Sequence, residues 1–310
     1  MDIITLEKVS KVYRKGFKGT AVSAVSDVTF SVAQNRITGF VGPNGAGKTT
    51  TIKMIMGLVA PSRGTIKIRS VDASQPKARQ NVAYVSEQPY FYRHLSVAES
   101  LRFVSELLDI EKGKIAGEVK RVLDIVELSG KEKLKIREMS KGMQQRLNMA
   151  CGLLGDPDLL ILDEPMSGLD PPARRLFRNL FKRLGNEGKT IFFSTHVLED
   201  IEVVCDDVIV LDGGKLRYTG RVDALLERGY LGSELLVKEL GEELQQDLNS
   251  RGWNSTINPD DTWMIFVPGE KELMSCQELL HSKGIYCHSI QKRTMPLETL
   301  LYGSTAEKNS

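Results

Sequence analysis

Cysteine is scarce in this sequence of 310 residues, and its few cysteines form no familiar pattern. Cys151, Cys205, Cys276 and Cys287 include no C-x-x-C pair, so their spacing predicts neither a disulfide framework nor a tetrahedral metal site. The sequence also lacks an uncharged apolar run of about 18 residues, the minimum for a membrane-spanning helix. The N-terminal segment has neither the basic start nor the apolar core of a signal peptide. We therefore expect a soluble, intracellular chain.

An excess of charge of one sign is missing as well. The 42 Lys and Arg residues nearly balance the 40 Asp and Glu residues, which leaves a formal net charge of +2. Charges of both signs are scattered along the chain, so we expect no nucleic-acid partner. The composition, 41% hydrophobic and 26% charged, is typical of a globular protein, and the length predicts two domains.

A glycine-rich segment with the spacing G-x-x-x-x-G-K-T follows an apolar run and precedes a helical pattern. The glycines allow consecutive backbone N–H groups to converge on phosphate oxygens, and the next helix directs its positive end at the same anion. The lysine can reach the β- and γ-phosphates, and the threonine hydroxyl after it can bind magnesium. This pattern predicts a nucleoside triphosphate site formed by Gly42, Pro43, Asn44, Gly45, Ala46, Gly47, Lys48, Thr49 and Thr50.

Two acidic residues end the apolar run Leu159–Leu162, which is typical of a strand buried on both faces. Ligand sites of open α/β sheets lie at the carboxyl ends of strands. We therefore predict that Asp163 holds magnesium and that Glu164 takes a proton from the attacking water. A later strand, Thr190–Thr195, ends in His196, which can reach the γ-phosphate from the same edge of the sheet.

Helical periodicity dominates from about residue 95 to residue 153. A capping box, Ser96 to Glu99, begins this region. Ser140 precedes its last helix and has two interpretations. It is an ordinary N-cap, or it forms a second phosphate-binding helix end together with the amide of Gly142.

Aromatic residues near the phosphate loop leave two further alternatives open. Tyr13 can stack on a nucleotide base, or it is a half-buried tyrosine of a strand. The segment Tyr90–Tyr92 is either packed within its loop or exposed as a docking patch for a partner, and we favour the docking patch.

Together these segments resemble the ATP-binding subunit of ABC transporters over about residues 1–220, most closely the ABC-2 type exporter branch. Tyr13 stands where the family has its adenine-stacking aromatic, and Gly42 to Thr50 resembles the Walker A loop. Met139–Met143 is similar to the LSGGQ signature, with Lys141 in place of a glycine and Met143 in place of the glutamine. Leu159 to Glu164 resembles Walker B, Ser167 to Asp170 the D-loop, and His196 the switch histidine. In the loop where the family has a metal-binding glutamine, the spacing places Glu87, with Gln88 one residue later; either could be the ligand.

The resemblance implies an α/β fold: a P-loop NTPase core with a mixed or parallel sheet, an N-terminal antiparallel β subdomain and a helical signature subdomain. It also implies ATP and Mg²⁺ as cofactors and a head-to-tail dimer, in which the Ser140–Gly142 segment of one copy faces the γ-phosphate held by Lys48 of the other. The second subunit is another copy of this chain or a homologous ATPase subunit, and the D-loop residue Asp170 is a further nucleotide-binding residue. Hydrolysis would drive export through a separate polytopic membrane permease, with this chain cytoplasmic and peripheral on the inner face of the membrane. The alternative is a soluble ABC ATPase that acts on ribosomes or DNA. It is disfavoured because the chain has one ATPase half, no sustained heptads and a near-neutral charge.

The remainder of the chain predicts a linker at 221–233 and a small accessory domain at 234–303. Its pattern of strands and helices follows the β-α-β-β-α-β order of ferredoxin-like α+β domains. No residue in it suggests chemistry, and we interpret it as a dimerising or regulatory appendage, with a ligand sensor as the alternative. Residues 304–310 are polar, and we expect them to be a disordered tail.

Overall fold

The computed structural model describes residues 1–15 and 20–302, so the predicted tail at 304–310 lies outside the described residues. The chain divides into two compact units, Met1–Val222 and the part that begins at Asp223. The first unit contains β1 (Asp2–Lys15), β2 (Thr20–Ala33), β3 (Ile37–Val41), α1 (Lys48–Ile55), β4 (Arg63–Ile68), β5 (Val71–Asp72), β6 (Val82–Val85), α2 (Val97–Leu107), α3 (Lys112–Ile125), α4 (Lys141–Leu153), β7 (Leu159–Leu162), α5 (Pro171–Asn186), β8 (Thr190–Thr195), α6 (Leu198–Val204), β9 (Asp207–Asp212) and β10 (Lys215–Arg221).

A six-stranded mixed sheet, in the order β10-β9-β3-β8-β7-β6, carries the centre of this unit. All of its neighbouring strands are parallel except β9 and β10, which form an antiparallel hairpin. Every residue of β3, β7 and β8 is buried, which explains why these strands are mostly apolar and do not alternate between apolar and polar residues. Parallel strands of one sheet end at the same edge, and the predicted site residues follow these ends.

An antiparallel sheet, in the order β2-β1-β4-β5, forms the N-terminal subdomain. It shares a core with the mixed sheet, and three phenylalanine rings lie at this contact. The ring of Phe30 on β2 lies 5.7 Å from that of Phe40 on β3 and 6.1 Å from that of Phe192 on β8. The predicted α/β architecture with an antiparallel β subdomain is thereby confirmed.

Helices α2, α3 and α4 make up the helical part of this unit. The predicted capping box is present: Ser96 Oγ accepts the amide of Glu99, and the Glu99 side chain accepts the amide of Ser96. Ser140 caps α4, because its Oγ accepts the amide of Met143 at 3.2 Å. None of the helices in the described part of the chain combines the length and apolarity that crossing a bilayer requires.

The second unit contains β11 (Tyr230–Val237), α8 (Glu242–Ser250), β12 (Asn254–Ile257), β13 (Trp263–Val267), α9 (Glu270–Ser282), β14 (Cys287–Thr294) and α10 (Leu297–Tyr302); α7 (Val222–Arg228) precedes them. The antiparallel sheet has the order β12-β13-β11-β14, which is the ferredoxin-like arrangement, and this fold prediction is confirmed. Strand β11 begins at Tyr230, four residues before the predicted start. Gly232 resembles a linker residue in the sequence, but a Cβ there would lie 2.7 Å from the ring of Phe266, so the strand needs glycine at this position.

Candidate nucleotide-binding site

The phosphate loop connects β3 to α1, and its glycines are required by close backbone contacts. Gly47 precedes α1 with a φ of 102°, a conformation that favours glycine. A Cβ there would lie 2.5 Å from the carbonyl oxygen of Ala24, and one on Gly42 would lie 2.1 Å from that of Leu211. The Lys48 ammonium donates to the carbonyl oxygens of Gly42 at 2.6 Å and Pro43 at 3.3 Å, which holds it over the loop.

Asp163 follows β7 and is 1% exposed. Its Oδ1 accepts the hydroxyl of Thr49 at 3.1 Å and that of Ser194 at 2.8 Å. Burial raises the pKa of this carboxyl above its usual value, although the two hydroxyl donors oppose the shift and the neighbouring Glu164 adds to it. A divalent cation would remove the cost of keeping this carboxylate ionised.

Glu164, the next residue, has a φ of 47°, which is uncommon for a residue with a side chain and concentrates at functional sites. Its Oε1 lies 3.2 Å from the Lys48 ammonium, and its Oε2 lies 2.9 Å from Nδ1 of His196. The side chain of Glu164 is 10% exposed and that of Lys48 is 6% exposed. The structure thus brings the phosphate-loop lysine, the second acid and the histidine into direct contact.

Ser194 is a site residue that the sequence analysis missed. It is fully buried one residue before the end of β8, accepts the amide of Glu164 at 2.9 Å and donates to Asp163. One hydroxyl therefore fixes both acids. A polar residue near the carboxyl end of an otherwise apolar strand was the available signal.

Lys48, Glu164 and His196 line a pocket of about 330 Å³, and Glu87 and Gln88 differ in their relation to it. Both side chains are exposed, but only Glu87 lines the pocket. The backbone carbonyl oxygen of Gln88 accepts the hydroxyl of Ser86. The lining residues are Ala24, Asn44, Gly45, Ala46, Gly47, Lys48, Thr49, Thr50, Glu87, Glu164, Ser167 and His196.

Tyr13 is not among these lining residues. It pairs with Val22 on β2, two residues before the pocket residue Ala24, and it is 37% exposed. The ammonium of Lys11 lies 5.1 Å from the centre of its ring. Its stacking on a base therefore stays a prediction.

Ser140, Gly142 and Asp170 line a different pocket of about 450 Å³. Asp170 caps α5 by accepting the amide of Ala173 at 3.0 Å. The Lys141 side chain lies along Gly168, where a Cβ would be 2.4 Å from its ammonium. Within one copy of the chain, the signature segment and the phosphate loop therefore do not share a pocket.

The predicted docking patch is partly exposed. Tyr90 is 92% and Tyr92 53% exposed, and the ring of Tyr92 packs edge-on against Phe103 at 5.8 Å. A groove of about 500 Å³ lies on the same subdomain and includes Tyr84, Val104 and Leu108. A role of this surface in docking stays a prediction.

The oxygen atoms of Thr49 and Asp163 fit a magnesium ion. Mg²⁺ is usually bound by one or two carboxylates together with substrate phosphates rather than by a protein cage. Among the described residues, no group of three or more His, Cys, Asp or Glu side chains forms such a cage. The adjacent hydroxyl and buried carboxylate, facing the phosphate loop, are the donor set that such a site requires.

Comparisons with known proteins agree with this geometry. The family model described as ABC transporter matches residues 25–167. The Nod factor export ATP-binding protein I of Cupriavidus metallidurans is 35% identical, and the match covers 91% of each chain. An uncharacterized ABC transporter ATP-binding protein of Bacillus subtilis, YxlF, is 35% identical, and the match covers 96% of this chain and 97% of the relative.

Solved structures give the same result. The structure of an ATP-binding subunit of an ABC transporter is similar with a TM-score of 0.65 and 31% identity, covering 73% of this chain and 92% of that one. A dimeric ATP-binding cassette bound to ADP and Pi shares the fold, with a TM-score of 0.65 and 21% identity, covering 71% of this chain and 98% of that one. The chain therefore belongs to the ABC transporter ATP-binding proteins, and it is an ATP hydrolase of the ABC type.

Proposed function

We propose that two copies of this chain form a head-to-tail dimer and that each ATP lies between the phosphate loop of one copy and the Ser140–Gly142 segment of the other. The observation that carries this proposal is the separation of the predicted site residues into two pockets. Ser140, Gly142 and the amino end of α4 offer donors suited to an anion, yet their pocket does not include Lys48. A second copy supplies what each pocket lacks.

Within such a site, Lys48 binds the β- and γ-phosphates and Glu164 accepts the proton of the attacking water. His196 orients the Glu164 carboxylate, since its Nδ1 lies 2.9 Å from Oε2, and it faces the γ-phosphate from the end of β8. General-base catalysis of this kind contributes roughly 10²- to 10⁴-fold to a rate.

Thr49 and Asp163 would hold magnesium, which would offset phosphate charge as the bond to the γ-phosphoryl group breaks. Glu87 is the side chain of its loop that we propose as a further ligand or water contact, because it lines the same pocket as Lys48 and Glu164. Gln88 does not line that pocket and has no such role in this proposal.

We further propose that ATP hydrolysis drives export through a separate membrane permease. The relatives include proteins named for Nod factor export, and the exposed Tyr90 and Tyr92 lie on the loop that leads away from Glu87. A permease contact on this loop would connect directly with the nucleotide pocket. The cargo would be selected by the permease.

The composite site can be tested with two variants that disable different halves of it. Lys48→Ala removes the phosphate-loop cation. Gly142→Asp places a negative charge at the signature, and it fits because the nearest atom to the added Cβ is Leu169 Cδ2 at 3.9 Å. An acid in the first turn of α4 is also compatible with the helix dipole. Gly117→Asp is the matched control, since an added Cβ has no atom within 4 Å.

Each variant alone should be inactive as a homodimer, whereas a heterodimer of the two, purified through two different tags, has one intact site. We expect about half of the wild-type turnover per dimer, as two-fold symmetry makes the two sites equivalent. An inactive heterodimer would refute the composite site.

The transport role can be tested separately by affinity purification of the tagged chain from detergent extracts. The proposal predicts co-purification with a multi-span membrane protein whose recovery is lost when Tyr90 and Tyr92 are both changed to Ser. Recovery only with ribosomes or DNA would favour a soluble ABC ATPase and reject the transport role.

A further inference from the structure

Asp200 is a fully buried carboxylate that the proposed chemistry does not use. It lies on α6, and two arginines of α5 surround it. Arg178 donates from Nε to Oδ1 at 2.8 Å, and Nη2 of Arg174 lies 3.2 Å from Oδ2. Removing the Asp200 carboxylate from water is expensive, although the two arginines stay partly exposed, and a buried ion pair is weak grounds for stability alone.

The contacts of Asp200 enclose the segment that carries His196. Thr195 and Val197 lie on either side of the histidine. The hydroxyl of Thr195 accepts the amide of Val197 at 3.0 Å. The same hydroxyl donates to Oδ2 of Asp200 at 3.4 Å, and the amide of Asp200 donates to the carbonyl oxygen of Val197 at 3.3 Å. The residues on both sides of His196 are thus tied to Asp200.

The arginines connect this segment with the loop that precedes α5. The amide of Arg174 donates to the carbonyl oxygen of Asp170 at 2.9 Å, and Asp170 begins the helix as its N-cap. Arg178 also donates from Nη1 to Oε1 of the neighbouring Glu199 at 2.9 Å. Asp200 is therefore the group through which α5 fixes the position of the turn between β8 and α6.

We propose that Asp200, held by Arg174 and Arg178, is a positioning residue that keeps His196 within hydrogen-bond reach of Glu164. The proposal rests on the proposed role of His196 in hydrolysis. Displacement of a catalytic group by about 1 Å can cost up to 100-fold in rate, so a group that does not touch ATP can have a large effect on turnover.

A double-mutant cycle with Asp200→Asn and His196→Ala tests this inference. Asn preserves the shape of the side chain and removes its charge. We expect Asp200→Asn to lower kcat by roughly 10- to 100-fold with little change in the KM for ATP. In the His196→Ala background, the same substitution should have no further effect, because residues that act through one another are not additive. Single-turnover release of phosphate from radiolabelled ATP keeps the slow variants measurable.

Arg174→Gln provides a second test if Asp200→Asn does not fold. It is the milder change, because Arg178 still pairs with Asp200. It should show the same kcat effect and the same lack of additivity. The matched control is Asp207→Asn, which removes the ion pair with Arg36 on the same unit without touching the His196 segment. The control should lower the melting temperature while leaving kcat unchanged in either background.

Two outcomes would overturn the inference alone: unchanged kcat in folded Asp200→Asn and Arg174→Gln, or an equal loss of kcat with and without His196. Normal turnover of His196→Ala would overturn both the inference and the role of His196. These failures are therefore distinguishable.

Discussion

Replacement of Glu164 by Gln separates the proposed general base from the contacts that hold it. The carboxylate contacts Lys48 through Oε1 and His196 through Oε2. A glutamine has nearly the same shape, keeps an acceptor toward the ammonium and offers an amide group toward the imidazole. The backbone amide of residue 164 still donates to Ser194. The substitution should therefore leave the fold and the ATP pocket in place while it removes the group that takes the proton.

The size of the effect follows from that single loss. A lost general base reduces the rate by roughly 10²- to 10⁴-fold. At 1.36 kcal/mol for each tenfold change, this corresponds to about 2.7 to 5.4 kcal/mol of barrier height. Binding of ATP should remain, because Lys48 and the loop amides are unchanged. ATP-bound dimers should consequently accumulate.

Phosphate release under single-turnover conditions measures the rate, and size-exclusion chromatography with ATP measures the dimer. Glu187→Gln, an exposed acid at the end of α5, is the matched control and should behave as the wild type. Turnover of Glu164→Gln within about fivefold of the wild type would exclude Glu164 as the base, since the expected loss is at least 10²-fold.

Three further changes have distinct expected results. Glu87→Ala should lower turnover and Gln88→Ala should not, because only Glu87 lines the ATP pocket; the reverse result in a phosphate-release assay would reassign this loop. Asp163→Asn should raise the melting temperature in the absence of ATP at neutral pH, because the raised pKa of Asp163 means that folding is penalised once the carboxylate ionises. This gain in melting temperature should fade as the pH falls toward 3.8, the usual pKa of this carboxyl. The stabilisation of the protein by ATP with Mg²⁺ should be lost in the same variant. Thermal scans across pH measure both effects. Phe177→Ala should cost about 3 to 5 kcal/mol in urea unfolding, because this fully buried side chain would leave a cavity, whereas the 67% exposed Leu107 should tolerate the same change.

Residues at the ends of buried strands could be identified from the sequence. Asp163 and His196 directly follow buried strands, Lys48 follows one through the phosphate loop, and parallel strands bring such ends to one edge. Ser194 could not be identified in this way. Its contact with both acids depends on the pairing of Leu162 with Phe193 between β7 and β8, and this register is absent from any local pattern.

The sequence also could not predict which of Glu87 and Gln88 lines the pocket. Both follow β6, and Pro89 interrupts the backbone pattern before a period can show which side chain faces the pocket. Gly232 was misleading for a different reason. Glycine is frequent in linkers, but here it leaves room for the ring of Phe266 within a sheet.

The contact between Lys48 and Glu164 connects ATP binding with activation of the base. Both side chains are nearly buried, and the ammonium faces one oxygen of the carboxylate while His196 faces the other. A carboxylate oxygen that accepts from an ammonium is already occupied, so it does not face an attacking water at the same time. A bound γ-phosphate would bring its own negative charge to Lys48 and compete with Glu164 for it. Oε1 of Glu164 would then become available to an attacking water only when ATP occupies the loop, and this would restrict proton transfer to the loaded site.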